Sequence, residues 1–133
     1  MTAETIATFT RKIAASNRTG LICVLYEIYF AYETEALDFL EAQKTGDITD
    51  YTKAVRQCGQ VVRHLKEALD FSYDISYSLY ALYDYVERTL AKAMYEQKAD
   101  PIHAAGNVMR HLQDSFVQLA KEDASAPLMG NTQ

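Results

Sequence analysis

Ile48-Thr-Asp-Tyr51-Thr-Lys-Ala-Val55-Arg-Gln-Cys58-Gly-Gln-Val-Val62-Arg-His-Leu65-Lys-Glu-Ala-Leu69 is the stretch on which the fold turns. Its apolar positions, Ile48, Tyr51, Val55, Cys58, Val62, Leu65 and Leu69, fall at steps that alternate between three and four. That is the seam of a helix packed at a shallow angle against neighbours, and no strand has this period. Upstream, Thr45-Gly46-Asp47 punctuates the chain. Gly46 can take the left-handed conformation that closes a helix, and Asp47 suits the N-cap of the next.

Working outward, the same period recurs. A preceding helix is expected over 18–43, carrying the apolar run Leu21–Tyr32, which only Glu27 interrupts. A membrane span needs about 20 such residues, so this run reads as a buried helix. After a break near Asp70–Ser72, a third helix is expected over 73–97. Its seam reads Ile75, Leu79, Leu82, Val86, Leu90 and Ala93, and a second face carries Tyr73, Tyr77, Tyr80 and Tyr83. A helix apolar on two faces predicts the central, most buried position, with Leu82 in mid-seam. Asp100-Pro101 then opens a fourth helix over 101–121 with Ile102, Ala105, Met109, Leu112, Phe116 and Leu119 inward. Residues 1–16 read as a flexible N-terminal arm of one or two helical turns, anchored by Ile6, Phe9 and Ile13. Residues 123–133 lose the period and read as a loose tail. The expectation is an all-α, antiparallel up-down four-helix bundle with a short N-terminal arm, in one domain spanning 1–133.

Composition narrows the function. The 133-residue chain is 49% hydrophobic, too apolar for a disordered polymer. A net charge of −5 without a basic stripe argues against nucleic acid and against anionic membrane surfaces. Cys23 and Cys58 both fall on apolar helical faces and read as reduced core thiols of a cytosolic protein. No Glu is followed by His three places on, and His64, His103 and His111 form no chelating pair, so no metal and no cofactor is expected. His64-Leu65-Lys66 lacks the spacing of a phosphotransfer bundle, and Arg56 lies too far from His64 for a HEPN ribonuclease motif. Nucleophile elbows and phosphate loops are absent, which leaves protein binding and not catalysis.

Two segments carry a family resemblance: Gly20-Leu-Ile-Cys-Val-Leu-Tyr-Glu27, and Leu79-Tyr-Ala-Leu-Tyr-Asp-Tyr-Val-Glu-Arg-Thr-Leu-Ala-Lys-Ala93. Together they resemble the flagellar export chaperone family FliS, with Leu82, Tyr83, Asp84, Tyr85, Arg88, Leu90 and Ala93 matching its signature. Asp114-Ser-Phe116-Val-Gln118 resembles the family's motif near the end, and the likeness extends over about residues 14–120. Asn17-Arg18 stands where the family has Ser-Pro, Thr89 replaces its second Arg, and Met94 its Asn. The N-terminal arm lacks the family's tyrosines. The resemblance implies a cytoplasmic holdase that binds the C-terminal segment of flagellin, prevents its premature polymerisation and hands it to the flagellar export apparatus.

Tyrosine usage bears on where such a client would lie. Ten Tyr stand against no Trp, more than a small core accommodates. Tyr offers a large apolar body with a polar tip and few rotors, which suits interfaces. Tyr26 and Tyr29 of the first long helix, with Tyr80, Tyr83, Tyr85 and Arg88 of the third, are the expected partner-binding residues. A structural adaptor that binds a folded partner, or itself, is the alternative reading. Asp84 and Arg88 are spaced for a helix-face ion pair. The run Glu33, Glu35, Asp38, Glu41 reads as a solvated helix face.

Overall fold

The computed structural model describes residues 2–15, 18–42 and 48–125. They form five helices: α1 (Ala3–Ala15), α2 (Arg18–Ala42), α3 (Thr49–Glu67), α4 (Ile75–Glu96) and α5 (Ala99–Ser125). No strand occurs among the described residues. Helices α2 to α5 close a ring in which α2 packs on α3, α3 on α4, α4 on α5 and α5 back on α2. Side-chain registers show that these neighbours run antiparallel. On α3 and α4, Lys66 reaches Asp84, Arg63 reaches Glu87 and Tyr51 reaches Ala93. On α2 and α5, Glu33 meets Arg110, Phe30 lies under Arg110 and Tyr26 meets Phe116.

The seam of α3 is as the periodicity predicts. Tyr51, Val55, Cys58, Val62 and Leu65 are buried, with Ala54 and Val61 beside them. In α5, Ile102, Ala105 and Met109 are buried and Leu112 and Phe116 are packed against the core. α5 begins at Ala99 instead of Pro101 and runs to Ser125. Pro101 therefore lies within the first turn, where its missing N–H has no helical partner to lose. Gln97 closes α4 in the left-handed conformation (φ 56°, ψ 48°), its N–H bonded to the Ala93 carbonyl at 2.9 Å. Of the tail expected over 123–133, residues 123–125 continue α5; its remainder and the break expected at Gly46-Asp47 lie outside the described residues.

Three expectations are corrected. α4 is not the most buried helix: it occupies one place in the ring, and its outer side faces solvent. Its buried stripe is Ser76, Tyr83, Val86, Leu90 and Ala93, while Ile75 is 63% and Leu82 39% exposed. The long tyrosine at 83 reaches the bundle axis and turns the helix so that its neighbour Leu82 sits on the shoulder. Glu33 is not part of a solvated face but is 6% exposed, because α5 approaches it at Gly106. The arm is longer than one or two turns: α1 has 13 residues, and among the helices it packs against α2 alone.

Candidate partner-binding surface

The six expected site residues divide by the direction each takes from its helix. Tyr26, Tyr29 and Tyr83 are core residues, 0%, 0% and 1% exposed, so none can edge an open groove. For Tyr26 and Tyr83, paired polar tips explain why tyrosine is tolerated inside. The Tyr26 and Tyr83 hydroxyls share a hydrogen bond of 2.7 Å across the bundle, and the Tyr51 hydroxyl donates to the Ala93 carbonyl at 2.6 Å. A buried hydroxyl costs little once it is paired. Burial in turn pushes the Tyr26 and Tyr83 phenols above their ordinary pKa. The Tyr29 hydroxyl is buried with no hydrogen-bond partner among the described residues.

Tyr80, Tyr85 and Arg88 are exposed, all on α4. Tyr80 and Tyr85 are five residues apart, about 140° around a helix whose buried stripe lies between the far flanks. They therefore face different sides of α4, Tyr85 toward α5 and Tyr80 toward Lys66 of α3. On the α3 side, a groove of about 380 Å³ is floored by Val55, Leu90, Ala91 and Met94 and rimmed by Arg56 and Arg63. Gly59 lies in it, and a Cβ there would meet no atom within 4 Å. Toward the end of this helix pair Lys66 holds Glu87 at 2.8 Å and lies over the Tyr80 ring at 4.6 Å. The carboxylate bond raises the Lys66 pKa, so its charge is fixed. On the α5 side, Tyr85, Arg88, Lys92 and Pro101 line a cleft of about 570 Å³. Arg88 pairs with Asp84 at 3.1 Å, the i, i+4 pair expected from spacing.

Sequence reasoning missed part of this surface. Phe71, Tyr73, Ile75 and Tyr77 are exposed at the corner between α3 and α4, next to Tyr80. The Phe71 ring lies 5.1 Å from Tyr77 and 5.9 Å from Tyr80. The excess of tyrosine was a usable signal for Tyr73 and Tyr77. Nothing in the periodicity separates the exposed Ile75 from a core position. A third groove runs beside α1, between α2 and α5, lined by Phe9, Phe30, Glu33, Arg110 and Gln113.

Among the described residues no helix is long and apolar enough to cross a membrane. Comparison with curated proteins returns no match. The family model described as flagellar protein FliS matches residues 3–123, from α1 to the last turn of α5. With a match over most of its length, the chain belongs to the FliS family of flagellar export chaperones.

Proposed function

We propose that this chain is a cytoplasmic holdase that binds the disordered C-terminal segment of flagellin, keeps it from polymerising early and assists its export. Family membership carries the reading, and the outer surface of α4 supports it. The client lies as an amphipathic helix in the α3–α4 groove, its apolar face over Gly59, Ala91 and Met94. Tyr80 lies further along the same helix pair, beside Lys66, and Tyr85 with Arg88 takes the part of the client that crosses α4. Ordering an unfolded segment costs several kcal/mol, so the wrapped surface must exceed about 2,000 Å² in total.

Calorimetric titration with the C-terminal flagellin peptide tests this. Binding is expected with a large negative heat-capacity change and weak salt dependence, because apolar area drives it. Gly59→Leu is the sharpest variant. Its side chain enters open space in the groove, and leucine favours a helix by about 0.5–1 kcal/mol over glycine. Melting temperature should hold or rise while affinity falls at least about tenfold, or about 1.4 kcal/mol. Tyr80→Ser with Tyr85→Ser should weaken binding similarly without unfolding the ring. Unchanged affinity in both variants sinks the assignment of the groove. No heat at any temperature sinks the flagellin reading and favours an adaptor for a folded partner.

α1 is proposed to be a flexible arm that leaves client binding intact when removed. Its backbone comes close to that of α2 alone, and Ile6 remains half exposed. Deleting residues 1–16 should leave the ring folded and client affinity undiminished. A large fall in melting temperature would assign α1 to the core.

A further inference from the structure

The aromatic corner between α3 and α4 is used neither by the fold nor by the groove assigned above. Phe71, Tyr73, Ile75 and Tyr77 are 43–64% exposed, the densest run of exposed large apolar side chains among the described residues. The segment is built, not slack. The Asp70 carboxylate accepts the Ser72 N–H at 2.9 Å and the Ser72 hydroxyl at 2.6 Å. The Asp70 carbonyl accepts the buried Ser76 hydroxyl at 2.6 Å and the Tyr73 N–H at 3.2 Å. These bonds fix the turn and hold Phe71 and Tyr73 outward. Exposed apolar clusters of this kind mark interaction sites more often than they are incidental.

Charge identifies the occupant. The corner carries exposed carboxylates on either side, Asp74 between Tyr73 and Ile75 and Glu67 at the end of α3. Lys66, a cation on the neighbouring turn of α3, is committed to Glu87 and Asp84. Lys66 also shows what the aromatic surface accepts, since its ammonium lies over the Tyr80 ring at 4.6 Å. A second copy of the chain is a poor occupant. Apposing two corners brings like-charged rims together on a protein of net charge −5.

We propose that the α3–α4 corner is a second docking surface, for a cationic amphipathic segment of a protein partner. Its apolar residues cover Phe71 and Ile75. Its Arg or Lys heads lie against the Tyr73 and Tyr77 rings and near the Glu67 and Asp74 carboxylates. Ring and carboxylate together favour Arg, which stacks and forms forked hydrogen bonds with one group.

The test uses the full chain and three labelled 18-residue synthetic peptides, read by fluorescence anisotropy. One carries Leu on one helical face and Arg on the flanks, the second has Glu in place of Arg, and the third scrambles the first. The patterned Arg peptide is expected to bind at least tenfold more tightly than the other two, and raised salt should weaken it. Phe71→Ser with Tyr77→Ser leaves the net charge unchanged and should reduce that affinity at least tenfold. Asp74→Asn should reduce it severalfold. Tyr73→Ser with Ile75→Ser, at positions without ring partners among the described contacts, gives the same reading should the first pair unfold. Three results would each overturn the proposal. The scrambled peptide could bind as well as the patterned one, the aromatic variants could bind normally, or the chain could dimerise through the corner. Gly59→Leu should leave binding of the Arg peptide intact, which separates this surface from the flagellin groove.

Discussion

Tyr83→Ala is expected to destabilise the bundle by about 3–5 kcal/mol, the usual cost of emptying a fully buried aromatic position. Tyr83 is 1% exposed in the middle of the α4 stripe, and its hydroxyl pairs with that of Tyr26 at 2.7 Å. Truncation leaves a cavity at the bundle axis and strands the Tyr26 hydroxyl in an apolar surround. Tyr83→Phe isolates the second effect and should cost about 1–3 kcal/mol, the penalty of one unpaired buried hydroxyl. Adding Tyr26→Phe removes the orphan and should recover part of that loss, which a double-mutant cycle in urea would measure. Leu82→Ala, one residue away, should cost less than about 1 kcal/mol, since that side chain is partly solvated already. The reverse ranking of Leu82 and Tyr83 would mean that α4 is rotated from its described position.

The contrast between these neighbours marks where the sequence stops being legible. α3 can be read from periodicity because its seam is unbroken and its other face is polar, leaving one way to bury it. α4 carries apolar residues on both flanks of any chosen stripe, so two seams fit, one through Leu82 and one through Tyr83. Only the bundle decides between them, through a hydroxyl pair joining residues 57 apart in the chain. The same ambiguity divides the site. Tyr80, Tyr85 and Arg88 are exposed as the tyrosine excess and the family motif suggest. Tyr26 and Tyr29 look like them in one dimension, because a tyrosine's large apolar body suits a core and its polar tip a surface. The corner residues Phe71 and Ile75 look like core by composition. They are exposed because the Asp70–Ser76 bonds start α4 with that side outward.

Glu33→Gln should make the bundle more stable at pH 8 and leave it nearly unchanged at pH 5. Glu33 projects from α2 against α5, where a Cβ on Gly106 would collide with Oε1, and that oxygen has no hydrogen-bond partner among the described residues. Arg110 lies 4.0 Å away and is itself half exposed over the Phe30 ring, so it compensates weakly. Burial pushes the carboxyl pKa from 4.5 up to about 7, and Arg110 pulls it back in part. The sign follows from proton binding. Between the ordinary carboxyl value and about 7 the folded chain holds a proton that the unfolded chain has released. Stability therefore falls as pH rises through that window and levels off above it. A full shift would correspond to roughly 3 kcal/mol, and water at the groove mouth beside α1 reduces this to about 1–3 kcal/mol. Gln keeps the shape without the charge, so the variant should exceed the parent by that amount at pH 8, and the two should converge near pH 4–5. Gly106→Ala should flatten the same pH dependence by a different route, since the added methyl displaces the carboxyl toward the groove and into water. Urea denaturation of the three proteins at both pH values decides the matter. A Glu33→Gln effect of equal size at pH 5 and pH 8 would show that shape, and not charge, sets the energetics of this helix crossing.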